Sequence, residues 1–119
     1  LSNLDFKKKV TNEEVFRAIL QAKLLIDERI TENLSLENMA LVTGISKYHF
    51  IRVFKAAFGI SPYQYQKRKR LELAKTDLLS GEEILFTALR YGFADTPTFS
   101  KAFKMQFGVT PGLVKKSNF

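Results

Sequence analysis

The feature that most constrains this chain is a short pattern that it contains twice. The first copy occupies residues 40–62 and the second occupies residues 88–111. Each copy has a glycine after a short apolar segment, then phenylalanine at every fourth position, then a second glycine and a proline. A short helix, a glycine turn and a second helix with one apolar face make a helix-turn-helix. The sequence therefore predicts two such units in one chain.

The two copies differ in length by a single residue. Gly44 aligns with Gly92, whereas Phe50 aligns with Phe99, so the second copy has one residue more just after its glycine. The turn of the second unit is therefore expected to differ from that of the first.

Apolar periodicity and capping residues predict an all-α fold with seven helices and no strand. The first helix is predicted to begin with a capping box at Thr11. Its core-facing stripe is predicted to comprise Val15, Ile19, Ala22, Ile26 and Ile30, and to be widened by Phe16, Leu20 and Leu24. In the fifth, Ile84, Ala88 and Leu89 are predicted to face inward. The predicted ranges are about 12–32, 36–43, 47–58, 62–80, 83–91, 96–107 and 111–116.

This pattern predicts one domain over residues 11–119, preceded by a linker or lead-in at 1–10. The first helix-turn-helix is expected at about 36–58 and the second at about 83–107, joined by a long helix at about 62–80. Such a helix spans roughly 28 Å at about 1.5 Å per residue. That length is close to the roughly 34 Å between successive major-groove segments on one face of B-DNA.

The charge balance favours an anionic partner. The formal net charge is +7 and the isoelectric point is about 9.7. Charge alone leaves nucleic acid and a membrane surface both open. No apolar run is long enough to cross a bilayer, so no membrane-spanning segment is expected.

Nothing in the sequence favours an enzyme. The chain has no cysteine and one histidine, His49, and its acidic pairs read as helix-capping or surface residues. No phosphate-binding loop or metal-ligand spacing is present. We therefore expect no catalytic residue, no metal site and no cofactor.

With the phenylalanines facing inward, the opposite face of each second helix carries cations beside small or flat side chains. A recognition helix needs such a face, because long cations reach guanine or phosphate while methyls and rings contact thymine. The plainer interpretation is that these are ordinary solvated helix faces, but the duplication favours a role in binding. The candidate DNA-contacting residues are Ser46, Lys47, Tyr48, Ile51, Arg52, Lys55, Thr96, Pro97, Ser100, Lys101 and Lys104.

The basic run Lys67–Arg70 lies in the first half of the long helix. Four consecutive helical residues point in all directions, so at least one must lie along the core with its charged end reaching outward. One or two others could contact phosphates.

An ordered set of motifs resembles the DNA-binding domain of AraC/XylS-type bacterial transcription regulators. The motifs that carry the resemblance are Gly44-Ile45-Ser46, Gly59-Ile60-Ser61-Pro62, Gly92-Phe93-Ala94-Asp95, residues 99–104 and Gly108-Val109-Thr110-Pro111. The resemblance implies seven helices, two homeodomain-like helix-turn-helix subdomains and binding near promoters, as an activator that recruits RNA polymerase or as a repressor. It adds Thr98 to the candidate contacts.

The resemblance also implies a cytoplasmic bacterial protein that is associated with the nucleoid when bound. Many relatives carry an N-terminal effector-binding or dimerisation domain, and residues 1–10 fit the end of a linker to one. We therefore expect a sequence-specific DNA-binding regulator that inserts two recognition helices into adjacent major-groove segments of double-stranded DNA. The first unit is expected to be the stronger reader. The alternative is a basic helical protein-interaction module, for example one that binds polymerase, without base readout.

Overall fold

The computed structural model describes residues 12–117, where it contains seven α-helices and no strand. The expected capping role of Thr11 and the lead-in at 1–10 lie outside the described residues. The all-α prediction is confirmed, and six of the seven predicted helices agree with the structure to within one residue at each end. The helices are α1 Asn12–Glu28, α2 Leu36–Thr43, α3 Lys47–Phe58, α4 Pro62–Leu79, α5 Ile84–Arg90, α6 Thr96–Phe107 and α7 Pro111–Lys116.

Hydroxyl caps fix where the short helices α2 and α7 begin. The Ser35 Oγ accepts a hydrogen bond from the Asn38 N–H at 3.1 Å, and the Thr110 Oγ1 accepts one from the Leu113 N–H at 3.2 Å. Each bond gives a partner to an N–H that the first turn of a helix leaves unpaired. These starts follow from local sequence, which is why the ranges of α2 and α7 were predicted correctly.

The predicted end of α1 is wrong. The helix stops at Glu28 and not near residue 32, and the chain then turns, with the Glu32 N–H bonded to the Arg29 carbonyl. Arg70 holds this turn by donating Nε to the Ile30 carbonyl at 2.7 Å and Nη2 to the Glu32 carbonyl at 2.8 Å. Carbonyls past a helix end need such partners. Arg70 is thus the member of the basic run that lies along the folded chain.

The described residues divide into two compact units. The first unit comprises residues 12–28 and 34–63, and the second comprises residues 29–33 and 64–117. In the first unit α1, α2 and α3 pack on one another. Its core contains fully buried Ile19, Ile26, Phe50 and Phe54, and the Phe54 ring meets Phe58 at 4.7 Å between centroids. The predicted phenylalanine stripe of α3 is therefore its packed face.

The predicted widening of the α1 core stripe is wrong. Phe16, Leu20 and Leu24 are 51%, 39% and 51% exposed. At about 100° per residue, this row is turned by about 130° around the helix from the buried row that includes Ile19. Among the helices that the structure describes in the first unit, α2 and α3 pack against α1. Phe16 instead borders an open cleft of about 910 Å³ that is also lined by Leu41 and Ile45.

The second unit has a core of the same plan. Leu71 and Leu78 of α4, Ala88 of α5, and Phe99 and Phe103 of α6 are almost entirely buried. The Thr87 hydroxyl, also buried, donates to the Glu83 carbonyl at 2.8 Å, which satisfies the polar group inside the helix. The inward position predicted for Leu89 is wrong, because its side chain is 54% exposed.

The turn after α5 requires glycine for two reasons. Gly92 has a φ of +86°, a backbone conformation that residues with a Cβ rarely adopt. A Cβ built there would also lie 2.7 Å from the Arg70 Nη1. The guanidinium that binds the 29–33 turn therefore lies directly against the turn that precedes α6.

An acidic residue of α4 binds the end of α5. The Asp77 Oδ2 accepts the Tyr91 hydroxyl at 2.8 Å and the Arg90 Nη1 at 3.1 Å. Burial, together with the hydrogen bond to the Asp77 carboxylate, raises the pKa of Tyr91 to about 12. The tyrosine therefore remains a neutral donor throughout the neutral range, and this link between α4 and α5 persists.

Candidate nucleic-acid interface

Helix α3, the first candidate recognition helix, begins at a serine cap. The Ser46 Oγ accepts a hydrogen bond from the His49 N–H at 3.1 Å, which fixes the entry of α3. The His49 N–H is therefore occupied and is not a free donor for phosphate.

The exposed face of α3 is formed by side chains at spacings of three and four. Because a helix advances about 100° per residue, Tyr48, Ile51, Arg52 and Lys55 share an arc of about 100°, whose centre lies about 130° around the helix from the buried Phe50 and Phe54. Tyr48 is 77% exposed, Arg52 and Lys55 are exposed, and Ile51 is half-buried at the edge. The structure thus brings these predicted residues together on one side of the helix.

Lys47 lies at the edge of this face and is held by an acid. Its Nζ is 2.9 Å from the Glu37 Oε2 in the first turn of α2. The hydrogen bond lowers the pKa of the Glu37 carboxyl and raises that of Lys47, so the pair stays charged at neutral pH. The Lys47 ammonium also lies 5.8 Å from the centre of the Tyr48 ring.

Helix α6, the second candidate recognition helix, begins at an acidic cap. The Asp95 Oδ1 accepts a hydrogen bond from the Thr98 N–H at 2.8 Å, and hydrogen bonding with Thr98 lowers the pKa of the Asp95 carboxyl. The carboxylate is therefore used in capping, and it favours the helix through the positive end of the helix dipole.

The exposed face of α6 repeats that of α3. Pro97, Ser100, Lys101 and Lys104 occupy the positions that align with Tyr48, Ile51, Arg52 and Lys55. Pro97, Lys101 and Lys104 are exposed and Ser100 is half-buried. Thr96 is half-buried at the helix start, and Thr98 is exposed about 100° away from the row that begins at Pro97.

The two faces share their cations and differ in their other side chains. The first offers a large ring at Tyr48 and a branched alkyl group at Ile51, whereas the second offers the small groups of Pro97 and Ser100. Sequence reasoning missed Glu37, which becomes part of the first site through Lys47. Its position in the first turn of a short helix is common, and only the folded turn brings it to the start of α3.

Other kinds of site find no support in the part of the chain that the structure describes. No group of three or more His, Cys, Asp or Glu residues could hold a metal ion between residues 12 and 117. In the same range no helix is long and apolar enough to cross a membrane.

Comparison with known proteins identifies the family. The family model described as "Helix-turn-helix domain" matches residues 39–117. The multiple antibiotic resistance protein MarA of Escherichia coli is 38% identical over 94 residues, which cover 78% of this chain and 74% of MarA. The chain belongs to the AraC/XylS family.

The solved structures agree with this membership. A transcriptional regulator with an AraC-type DNA-binding domain from Chromobacterium violaceum superposes with a TM-score of 0.79, at 28% identity, over 90% of this chain and 96% of that one.

The right origin-binding protein of Escherichia coli is 38% identical over 93 residues, or 77% of this chain. This AraC-type chain spans about a third of that relative, since the match covers 32% of it.

Proposed function

We propose that this chain is a sequence-specific DNA-binding transcription regulator in which α3 and α6 are the recognition helices. The observation that carries the proposal is the repeated exposed face, with cations at Arg52 and Lys55 in α3 and at Lys101 and Lys104 in α6. In a helix-turn-helix the second helix enters the major groove, and a cationic, solvent-facing side is what that position requires.

Family membership supports the same assignment. Rob of Salmonella typhimurium, named a transcriptional regulator, is 37% identical to this chain over 94 residues. The candidate contacts in this proposal are those of the two faces together with the helix-start residues Ser46, Lys47, Thr96 and Thr98. RNA polymerase as a second partner, and a further effector-binding or dimerisation domain, stay predictions from the resemblance.

Salt dependence tests the proposal against a protein-interaction module that does not read DNA. We expect the affinity for duplex DNA to fall linearly on a log–log plot of binding constant against salt, with a slope of about −0.9 per phosphate contacted. A protein with about six to ten such contacts loses at least about a thousandfold between 50 and 200 mM salt. Fluorescence anisotropy on a labelled duplex measures this slope, and a flat plot would contradict DNA binding.

The proposal includes occupation of two adjacent groove segments by one chain. Lys101→Ala is expected to weaken protection over one half of the footprint and to leave the other half intact. The reason is that Lys101 belongs to α6, which occupies only one of the two groove segments in this mode. Hydroxyl-radical footprinting on a fragment recovered by genome-wide capture of bound DNA measures this. Arg52→Ala serves as the matched variant and should weaken the opposite half. A wild-type footprint confined to a single groove segment would disprove the two-segment mode while leaving DNA binding in place.

A further inference from the structure

One cation of the proposed DNA face is already bound by an acid of the chain. Within residues 12–117 an ion pair is seen for Lys47, and none is seen for Arg52, Lys55, Lys101 or Lys104. The Lys47 Nζ and the Glu37 Oε2 are 2.9 Å apart, so the ammonium and the carboxylate form a charge-assisted hydrogen bond.

The pair connects the two helices of the first helix-turn-helix across its turn. Glu37 lies in the first turn of α2, and Lys47 is the first residue of α3. The Lys47 side chain is 38% exposed, and the Glu37 side chain is 65% exposed. The ammonium is therefore accessible to a phosphate but is offset by a neighbouring negative charge.

The second helix-turn-helix has no equivalent of this pair. In the alignment of the two copies, Leu85 takes the place of Glu37 and Thr96 takes the place of Lys47. Leu85 is 48% exposed and carries no charge. The pairing is thus a property of the first unit and not a requirement of the shared fold.

We propose that Glu37 tunes the sequence-independent DNA affinity of the first helix-turn-helix by binding the Lys47 ammonium and so removing one phosphate contact. This inference rests on the proposed DNA-binding function. Contacts to phosphate fix a protein on the duplex and raise affinity for every sequence alike. A cation held by Glu37 adds little to that general attraction, and base readout is left to Tyr48, Ile51 and Arg52.

The test is a double-mutant cycle on a random-sequence duplex, with the dissociation constant measured across a salt series. Glu37→Gln is expected to tighten binding about threefold near physiological salt and to steepen the log–log salt slope by about 0.9, the value of one added phosphate contact. Lys47→Gln is expected to bind more weakly than the wild type, because it leaves the Glu37 carboxylate unpaired beside the DNA face. In the Lys47→Gln background, Glu37→Gln should not steepen the salt slope, since the added phosphate contact requires the Lys47 ammonium.

Two controls separate this role from a general effect of charge or folding. Glu72→Gln makes the same change in net charge at an exposed position of α4 and should leave the slope unchanged. Glu37→Ala, which removes the side-chain acceptor altogether, should reproduce the gain of Glu37→Gln. Circular dichroism melts of each variant establish that the helices remain folded.

Three results would overturn the inference. They are an unchanged affinity and slope in Glu37→Gln, a steepening of the slope that persists in the Lys47→Gln background, and an equal gain in Glu72→Gln. Each of these leaves the proposed function intact, because the wild-type chain still binds DNA in a salt-dependent way. If the wild-type chain binds no duplex, the proposed function itself fails and the inference falls with it.

Discussion

Replacing Phe99 by alanine is expected to lower the free energy of unfolding of the second unit by about 3–5 kcal/mol. The Phe99 side chain is fully buried and touches Phe93 and Phe103, with ring centroids 5.2 and 5.6 Å away. Alanine removes the ring's contacts and leaves a cavity that the rigid neighbours cannot fill. For a domain of this size each kcal/mol shifts the melting temperature by about 4–8 °C, so a loss of at least ~12 °C is expected by calorimetry.

Phe86→Ala is the matched control for this substitution. It removes the same group from the same unit, but at a side chain that is 57% exposed. Exposed substitutions away from special features change stability by about 0.5 kcal/mol or less. Equal losses in the two variants would mean that Phe99 does not occupy the core of the second unit.

Replacing Arg52 by alanine is expected to weaken binding to the preferred DNA sequence by about 1–3 kcal/mol, or about fivefold to 150-fold. Arg52 is exposed on the α3 face, one turn from Tyr48, where a guanidinium can bind the two acceptors on the major-groove edge of guanine. The measurement is the dissociation constant on a recovered genomic fragment and on a scrambled duplex. The loss should be concentrated on the recovered fragment.

Lys55→Ala gives the comparison within the same helix. Lys55 lies nearly one turn further from the start of α3. Loss of a phosphate-contacting lysine weakens binding to all sequences about equally. Its removal should also make the salt slope shallower by about one. If Arg52→Ala reduced binding to both duplexes by the same factor, Arg52 would not be a base reader.

Local sequence was sufficient to predict most of the helices because their ends are set by neighbouring residues. Ser46 caps α3 through an N–H three positions on, and Asp95 caps α6 in the same way. The phenylalanines of both helices recur every fourth residue, so the inner face, and with it the opposite face, follows from helical geometry. The candidate contacts on α3 and α6 could be named for this reason.

The sequence was insufficient to predict features of the fold that depend on a residue far along the chain. The end of α1 is set by Arg70, whose guanidinium binds the carbonyls of Ile30 and Glu32 from a helix far along the chain. The row of Phe16, Leu20 and Leu24 is apolar enough for a core, but α2 and α3, the described helices that pack against α1, leave that row exposed.

The repeat by itself determined an all-α fold with two helix-turn-helix units and the direction of each recognition face, because glycine turns, caps and helical periodicity act over a few residues. The tertiary structure alone decided which of the described cations on those faces is held in an ion pair. Lys47 and Arg52 are both cations in the first half of α3, but the folded turn brings the Glu37 carboxylate to Lys47, whereas no ion pair is seen for Arg52 within residues 12–117. Pairing of charges depends on distances of a few ångströms between helices, and those distances exist only after the units have packed.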